Sequence, residues 1–122
     1  MKNPTLEKLL NRHCKPVKGE PMTDQDIGRH VEVIGNGWRY EADRPAIVKS
    51  YAFDDFHETI EFVNAVAWVI HGEDHHPDMA VGYDRCELAF STHSVAGLSI
   101  NDFICAAKCD AVRQLRPTSA PA

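Results

Sequence analysis

Residues 46–70 read AIVKSYAFDDFHETIEFVNAVAWVI, and the hydrophobic period changes in the middle of them. Up to Phe53 the period is two: Ile47, Lys49, Tyr51 and Phe53 share one face of an extended chain, which predicts a strand. Asp54 and Asp55 then offer an N-cap. Beyond them Phe56, Ile60, Val63, Ala67 and Ile70 recur at steps of four, three, four and three, which predicts a helix with one apolar face. A helix face of that kind must cover something, and the adjoining strand implies a sheet.

Upstream, Trp38, Tyr40 and Ala42 alternate with Arg39 and Glu41, and Asp43-Arg44-Pro45 turns the chain, so the first two strands form a hairpin. Thr23 with Asp26 caps a short helix carrying Ile27, Val31 and Ile34, which Gly35 and Gly37 stop. Residues 1–22 are polar and interrupted by Pro4, Pro16, Gly19 and Pro21, and read as a loosely attached arm with a turn of helix at Leu6 to Leu10. Downstream, Gly72 ends the long helix and Glu73 to Asp78 is a polar loop. Met79, Val81 and Tyr83 alternate as a third strand, Asp84-Arg85 turns, and Cys86, Leu88, Phe90 and Thr92 alternate as a fourth. Ser99 with Asp102 caps a last helix faced by Ile100, Ile104, Ala107, Ala111 and Leu115. The order helix, two strands, helix, two strands, helix predicts an α+β two-layer sandwich spanning residues 23–115, followed by a disordered tail over 116–122.

A chain of 122 residues suits one domain and can bury enough surface to fold without disulfide or metal. The net charge of −5 disfavours nonspecific binding to nucleic acid or an anionic membrane, both of which need a basic face. Cys14, Cys86, Cys105 and Cys109 form no CxxC pair and read as reduced intracellular thiols. No secretory leader or membrane span is evident, and the expected location is the cytoplasm.

The chemistry is concentrated in histidine. Four of the seven histidines, His71, His75, His76 and His93, fall between positions 71 and 93. Pro77 forces the preceding residue into extended geometry, so His75 and His76 lie on a rigid loop. A hairpin of the third and fourth strands brings His93 to the same end of the sheet. Imidazole exchanges protons near neutral pH, so three rings lining one pocket suit general acid–base work such as a hydration or dehydration. Solvated loop histidines and metal ligation by His71, His75, His76, Asp78 and His93 are the alternatives. The bend before Pro77 and the lack of HExxH weaken the metal reading. Ser91 and Ser94 lack a nucleophile elbow, and no glycine-rich phosphate loop exists.

The string His71-x3-His75-His76-Pro77-x5-Tyr83-x9-His93-x8-Asp102 resembles the signature of the pterin-4a-carbinolamine dehydratases, also called dimerization cofactors of a homeodomain transcription factor. Gly37-Trp38, the block Ala46 to Phe56, Leu88 to His93, and Ala96 to Ser99 extend the likeness from about Thr23 to Leu115. The resemblance implies a four-stranded antiparallel sheet with three helices on one face, assembling as a homodimer or homotetramer. It also implies loss of water from a 4a-hydroxytetrahydropterin, recycling the cofactor of aromatic amino acid hydroxylases, with no bound cofactor or metal. By position, His75 and His93 resemble the acids on opposite faces of the pterin, and His76 the pterin-binding base. Pro77 and the backbone of Thr92, His93, Ser94 and Val95 would cradle the ring. His71 stands where many members carry glutamate, and Met79 where a tryptophan often covers the pocket. Asp74 is a candidate for orienting a histidine. Asp102 has a sufficient structural role as the carboxylate of the Ser99 cap. A regulatory protein partner, acting on transcription or hydroxylase expression, is the other function the family implies.

Overall fold

The computed structural model describes residues 4–115. Its elements are α1 (Leu6–Leu10), α2 (Asp24–Ile34), β1 (Arg39–Glu41), β2 (Ala46–Ala52), α3 (Phe56–Glu73), β3 (Asp78–Val81), β4 (Arg85–Phe90) and α4 (Ile100–Leu115), with a single 3₁₀ turn at His93–Val95. The strands form one antiparallel sheet in the order β1-β2-β4-β3. The α+β architecture with a four-stranded antiparallel sheet is therefore as the sequence implies. The tail expected over 116–122 lies outside the described residues.

Local chemistry sets the element ends. The Thr23 hydroxyl accepts from Asp26 N, and the Asp55 carboxylate from Glu58 N, each satisfying a helix N–H that has no partner within its own helix. Gly72, expected to end α3, stays inside it. The helix ends at Asp74, whose backbone is left-handed at φ 53°, a conformation that a short polar side chain tolerates.

The core lies between the helices and one face of the sheet. Ile47 and Tyr51 of β2 and Cys86, Leu88 and Phe90 of β4 pack in one cluster with Phe62, Val66 and Ile70 of α3 and Phe103, Ile104 and Ala107 of α4. Two expected faces need correction. On α3 the buried stripe is Thr59, Phe62, Val66 and Ile70, while Phe56 and Ala67 are exposed and Ile60 and Val63 half-buried. The helix carries two overlapping apolar stripes that share Ile70, and the one through Phe62 and Val66 faces the sheet despite opening on Thr59. On α4 every residue from Asn101 to Ala107 is buried, because α1, α2 and α3 flank it while it lies over β4.

Asp110 of α4 accepts from Trp38 Nε1 at 2.9 Å, Lys49 Nζ at 2.7 Å and Tyr51 Oη at 2.5 Å, tying the last helix to the first hairpin. Burial, and after it the charge of Asp110, raise the Tyr51 phenol far above its ordinary value, so it stays a donor. Removing one member of such a buried, paired set costs about 3–5 kcal/mol, because the partner charge is left uncompensated.

The arm departs most from expectation. Leu9 is 2% exposed and belongs to the main core, and Leu10, Cys14 and Met22 pack against it. Residues 4–22 are docked rather than loosely attached.

Candidate active site

Two loops meet at one end of the sheet. The first runs from the left-handed Asp74 through His75, His76 and Pro77 into β3. The second leaves β4 at Phe90, passes Ser91 and Thr92, and makes the 3₁₀ turn that begins with His93. Antiparallel pairing of β3 with β4, with Asp78 opposite Ala89, brings them together. Between them lies a cavity of about 670 Å³ lined by His75, His76 and His93 together with Asp74, Thr92 and Ser94. The three histidines expected to share a pocket do share one.

The N-terminus of α4 supplies what holds the cavity in shape. Asp102 is fully buried, and its Oδ1 lies 2.6 Å from His75 Nε2. Its Oδ2 accepts from Ser99 N at 2.9 Å and from the Thr92 hydroxyl at 2.8 Å. With the Thr92 proton committed to Asp102, the Ser99 hydroxyl donates to Thr92 Oγ1 at 2.7 Å, and Ser99 Oγ in turn accepts from Asn101 N. Asp102 is thus both the helix cap expected from Ser99-x-x-Asp102 and the partner of His75. A carboxylate can only accept, so Nε2 of His75 carries the proton, and Nδ1 is left to exchange protons with a ligand. The His75 ring lies parallel to Phe90, with centroids 6.2 Å apart, which supports its plane. His76 and His93 are exposed and free to approach a ligand.

Four of the candidate site residues named from the sequence lie outside the cavity lining among the described residues, Asp102 because it stands behind His75. His71 is on the exposed last turn of α3, Pro77 is half-buried at the entry to β3, and Val95 is buried beneath the 3₁₀ turn. The i, i+4 relation of His71 to His75 has no metal-binding meaning, because the helix ends between them. Among the described residues no group of three His, Cys, Asp or Glu side chains is arranged to hold a metal ion.

Other lining residues had no signal in the sequence. Glu73 has burial opposing its ionisation, yet bonds from Cys14 N at 2.7 Å, His13 Nδ1 at 2.8 Å and Lys108 Nζ at 3.2 Å outweigh it and hold the carboxyl at about 2. Asn101 is buried beside Asp102, and Cys14, Lys15, Pro16 and Val17 of the arm also border the cavity. The arm's partners in the rest of the chain are from 59 to 91 residues away in sequence, so no local spacing announces them.

Residues 20–112 match the family model for pterin 4 alpha carbinolamine dehydratase. A protein of Nitrosospira multiformis, provisionally named pterin-4-alpha-carbinolamine dehydratase, is 42% identical over 113 residues, covering 91% of this chain and 97% of its own. One of the same provisional name from Xanthomonas campestris is 48% identical over 104 residues, covering 82% and 86%. The crystal structure of a transcriptional coactivator/pterin dehydratase from Brucella melitensis aligns with a TM-score of 0.72 at 28% identity, covering 76% of this chain and 98% of that one.

Proposed function

This chain belongs to the pterin 4 alpha carbinolamine dehydratase family, and from that premise we propose that it removes water from a 4a-hydroxytetrahydropterin to give quinonoid dihydropterin. The observation that carries the reading is the joint placement of His75, His76 and His93 on one cavity, with His75 held by the buried Asp102. In the reaction the C4a–O bond breaks, the lone pair of N5 forms the C4a=N5 bond, and the N5 proton departs. A protonated His75 or His93 gives its proton to the leaving hydroxyl, and His76 takes the proton from N5. Acids on two loops let one site serve hydroxyls on either face of the ring. The backbone of Thr92 to Ser94 holds the pterin, while Pro77 acts only by setting the loop that carries His75 and His76, and no step calls for a metal or a bound cofactor. The net charge of −5 and the four free thiols fit a cytoplasmic protein that does not bind nucleic acid directly. Among the described residues no helix is long and apolar enough to cross a membrane.

The test is the dehydration of enzymatically generated 4a-hydroxytetrahydropterin, followed by ultraviolet absorbance. Wild type should accelerate it, and the His75→Ala/His93→Ala double variant, folded but with a lower unfolding midpoint because Asp102 Oδ1 loses its partner, should lose at least roughly 10²-fold in rate. Full activity in that variant would remove the histidine mechanism. Self-association as a homodimer or homotetramer is part of the reading, supported by the uncovered edge at β3. A regulatory protein partner is the second reading, supported by Trp68 of α3, which is 81% exposed.

A further inference from the structure

The arm contributes Cys14, Lys15, Pro16 and Val17 to the cavity that holds the three histidines, and all four lie before residue 20, where the family match begins. They are fastened from three sides. Asn101, 5% exposed, donates from Nδ2 to Lys15 O at 2.7 Å and accepts from Lys15 N at 3.2 Å, so one rigid amide holds both backbone groups of one arm residue. Glu73 Oε1 accepts from Cys14 N, and Ser94 Oγ donates to Val17 O at 2.8 Å. Further along, Pro21 packs so closely on Gly97 that a Cβ there would come within 2.7 Å of it, and Met22 N donates to Leu98 O at 2.9 Å.

We propose that Cys14–Val17 is a substrate-binding wall of the dehydratase site and that Asn101 is the positioning residue that fastens it. The proposal takes its substrate, a pterin, from the reading above; its geometry stands without it. The wall is held through its backbone, with no group that changes charge during dehydration. It therefore binds substrate and transition state alike, and its loss acts on KM rather than kcat. It also keeps water from one side of the ring.

Two variants test this. Asn101→Ala removes both bonds to Lys15. Asn101→Asp is isosteric, keeps an acceptor for Lys15 N and sets a carboxylate against the Lys15 carbonyl; the N-terminus of α4 offsets part of its repulsion by Asp102. Three quantities are measured: tryptic cleavage after Arg12 and Lys18, calorimetric binding of unreactive 7,8-dihydropterin, and the kinetic constants of dehydration. The expected result in both variants is faster cleavage in the arm, dihydropterin affinity lowered and KM raised about tenfold, the scale of one well-placed contact, and kcat within about twofold. A merely structural Asn101 would lower the unfolding midpoint and leave KM alone. Folded variants with a released arm and unchanged affinity and KM would overturn the wall, as would a loss confined to kcat, which would assign Asn101 to support of Asp102. Unchanged cleavage in both would overturn Asn101 as the fastening. If Asn101→Ala fails to fold, Asn101→Asp decides. If wild type binds dihydropterin but does not turn over carbinolamine, the dehydratase reading fails and the affinity comparison still decides the wall. A wild type that does neither overturns both.

Discussion

At Asp102 one carboxylate serves the fold and the site together. It closes the first turn of α4 through Ser99 N and fixes His75 through Nε2, with Thr92 bridging the two. Asp102→Asn keeps the shape but replaces one acceptor oxygen with a donor NH₂. If that amide faces His75, the ring must turn its proton to Nδ1, and the nitrogen that met the ligand changes role. The Asp102→Asn variant should lose about tenfold to 10²-fold in kcat, and stability by about 1–3 kcal/mol for a buried group left without a partner. Urea unfolding and the pH profile of kcat check the two parts separately. A variant with lowered stability and an unaltered kcat profile would reduce Asp102 to its capping role. The cap is legible in the sequence, because Ser99-x-x-Asp102 is a local pattern. The bond to His75 spans 27 residues and is not legible there. His75, His76 and His93 are legible as a group because Pro77 and a hairpin suffice to bring them to one sheet end.

At the scale of elements, the strands and the long helices follow from periodicity, and what escapes it is contact made by side chains on distant backbone. The buried α3 stripe differs from the expected one because Val63 and Val66 are equally apolar in sequence and only the sheet distinguishes them. The docking of the arm escapes because a five-residue helix with a single fully buried leucine has no period to read. Glu73 holds the arm to α3 and α4, and its pH dependence follows from linkage. Its carboxyl titrates at about 2 in the folded chain against an ordinary 4.5, so its stabilising contribution is complete above about pH 5 and is lost as pH falls from 4.5 through 2. Glu73→Gln should therefore be less stable than wild type at pH 7, with the gap between their urea midpoints closing as the pH is lowered to about 2. A gap that stays constant across that range would show that shape, not charge, is what Glu73 contributes.

At the scale of the molecule, the two sheet edges are not equivalent. The β1 edge is three residues long and carries Arg39 and Glu41, charges that discourage pairing. All four residues of β3 are exposed, and Met79 and Val81 pair with Leu88 and Cys86, so they point to the core face of the sheet, where the helix layer does not reach them. Next to them the rings of Phe56 and Tyr83 stack at 6.4 Å and are themselves half-exposed or more. An open edge bordered by an apolar patch is self-complementary under a two-fold axis: antiparallel pairing of β3 with its own copy continues the sheet and buries both patches at once. Light scattering at micromolar concentration should give an even multiple of 13.7 kDa. The Val81→Lys/Tyr83→Lys variant should move that mass toward a single chain, since like charges would face each other across the axis. The histidine cavity is built from one chain's own loops, so the dissociated variant should still bind dihydropterin. A wild type that is monomeric under these conditions would mean that the β3 edge is kept for another protein, and the exposed Trp68 surface would then be the next place to substitute.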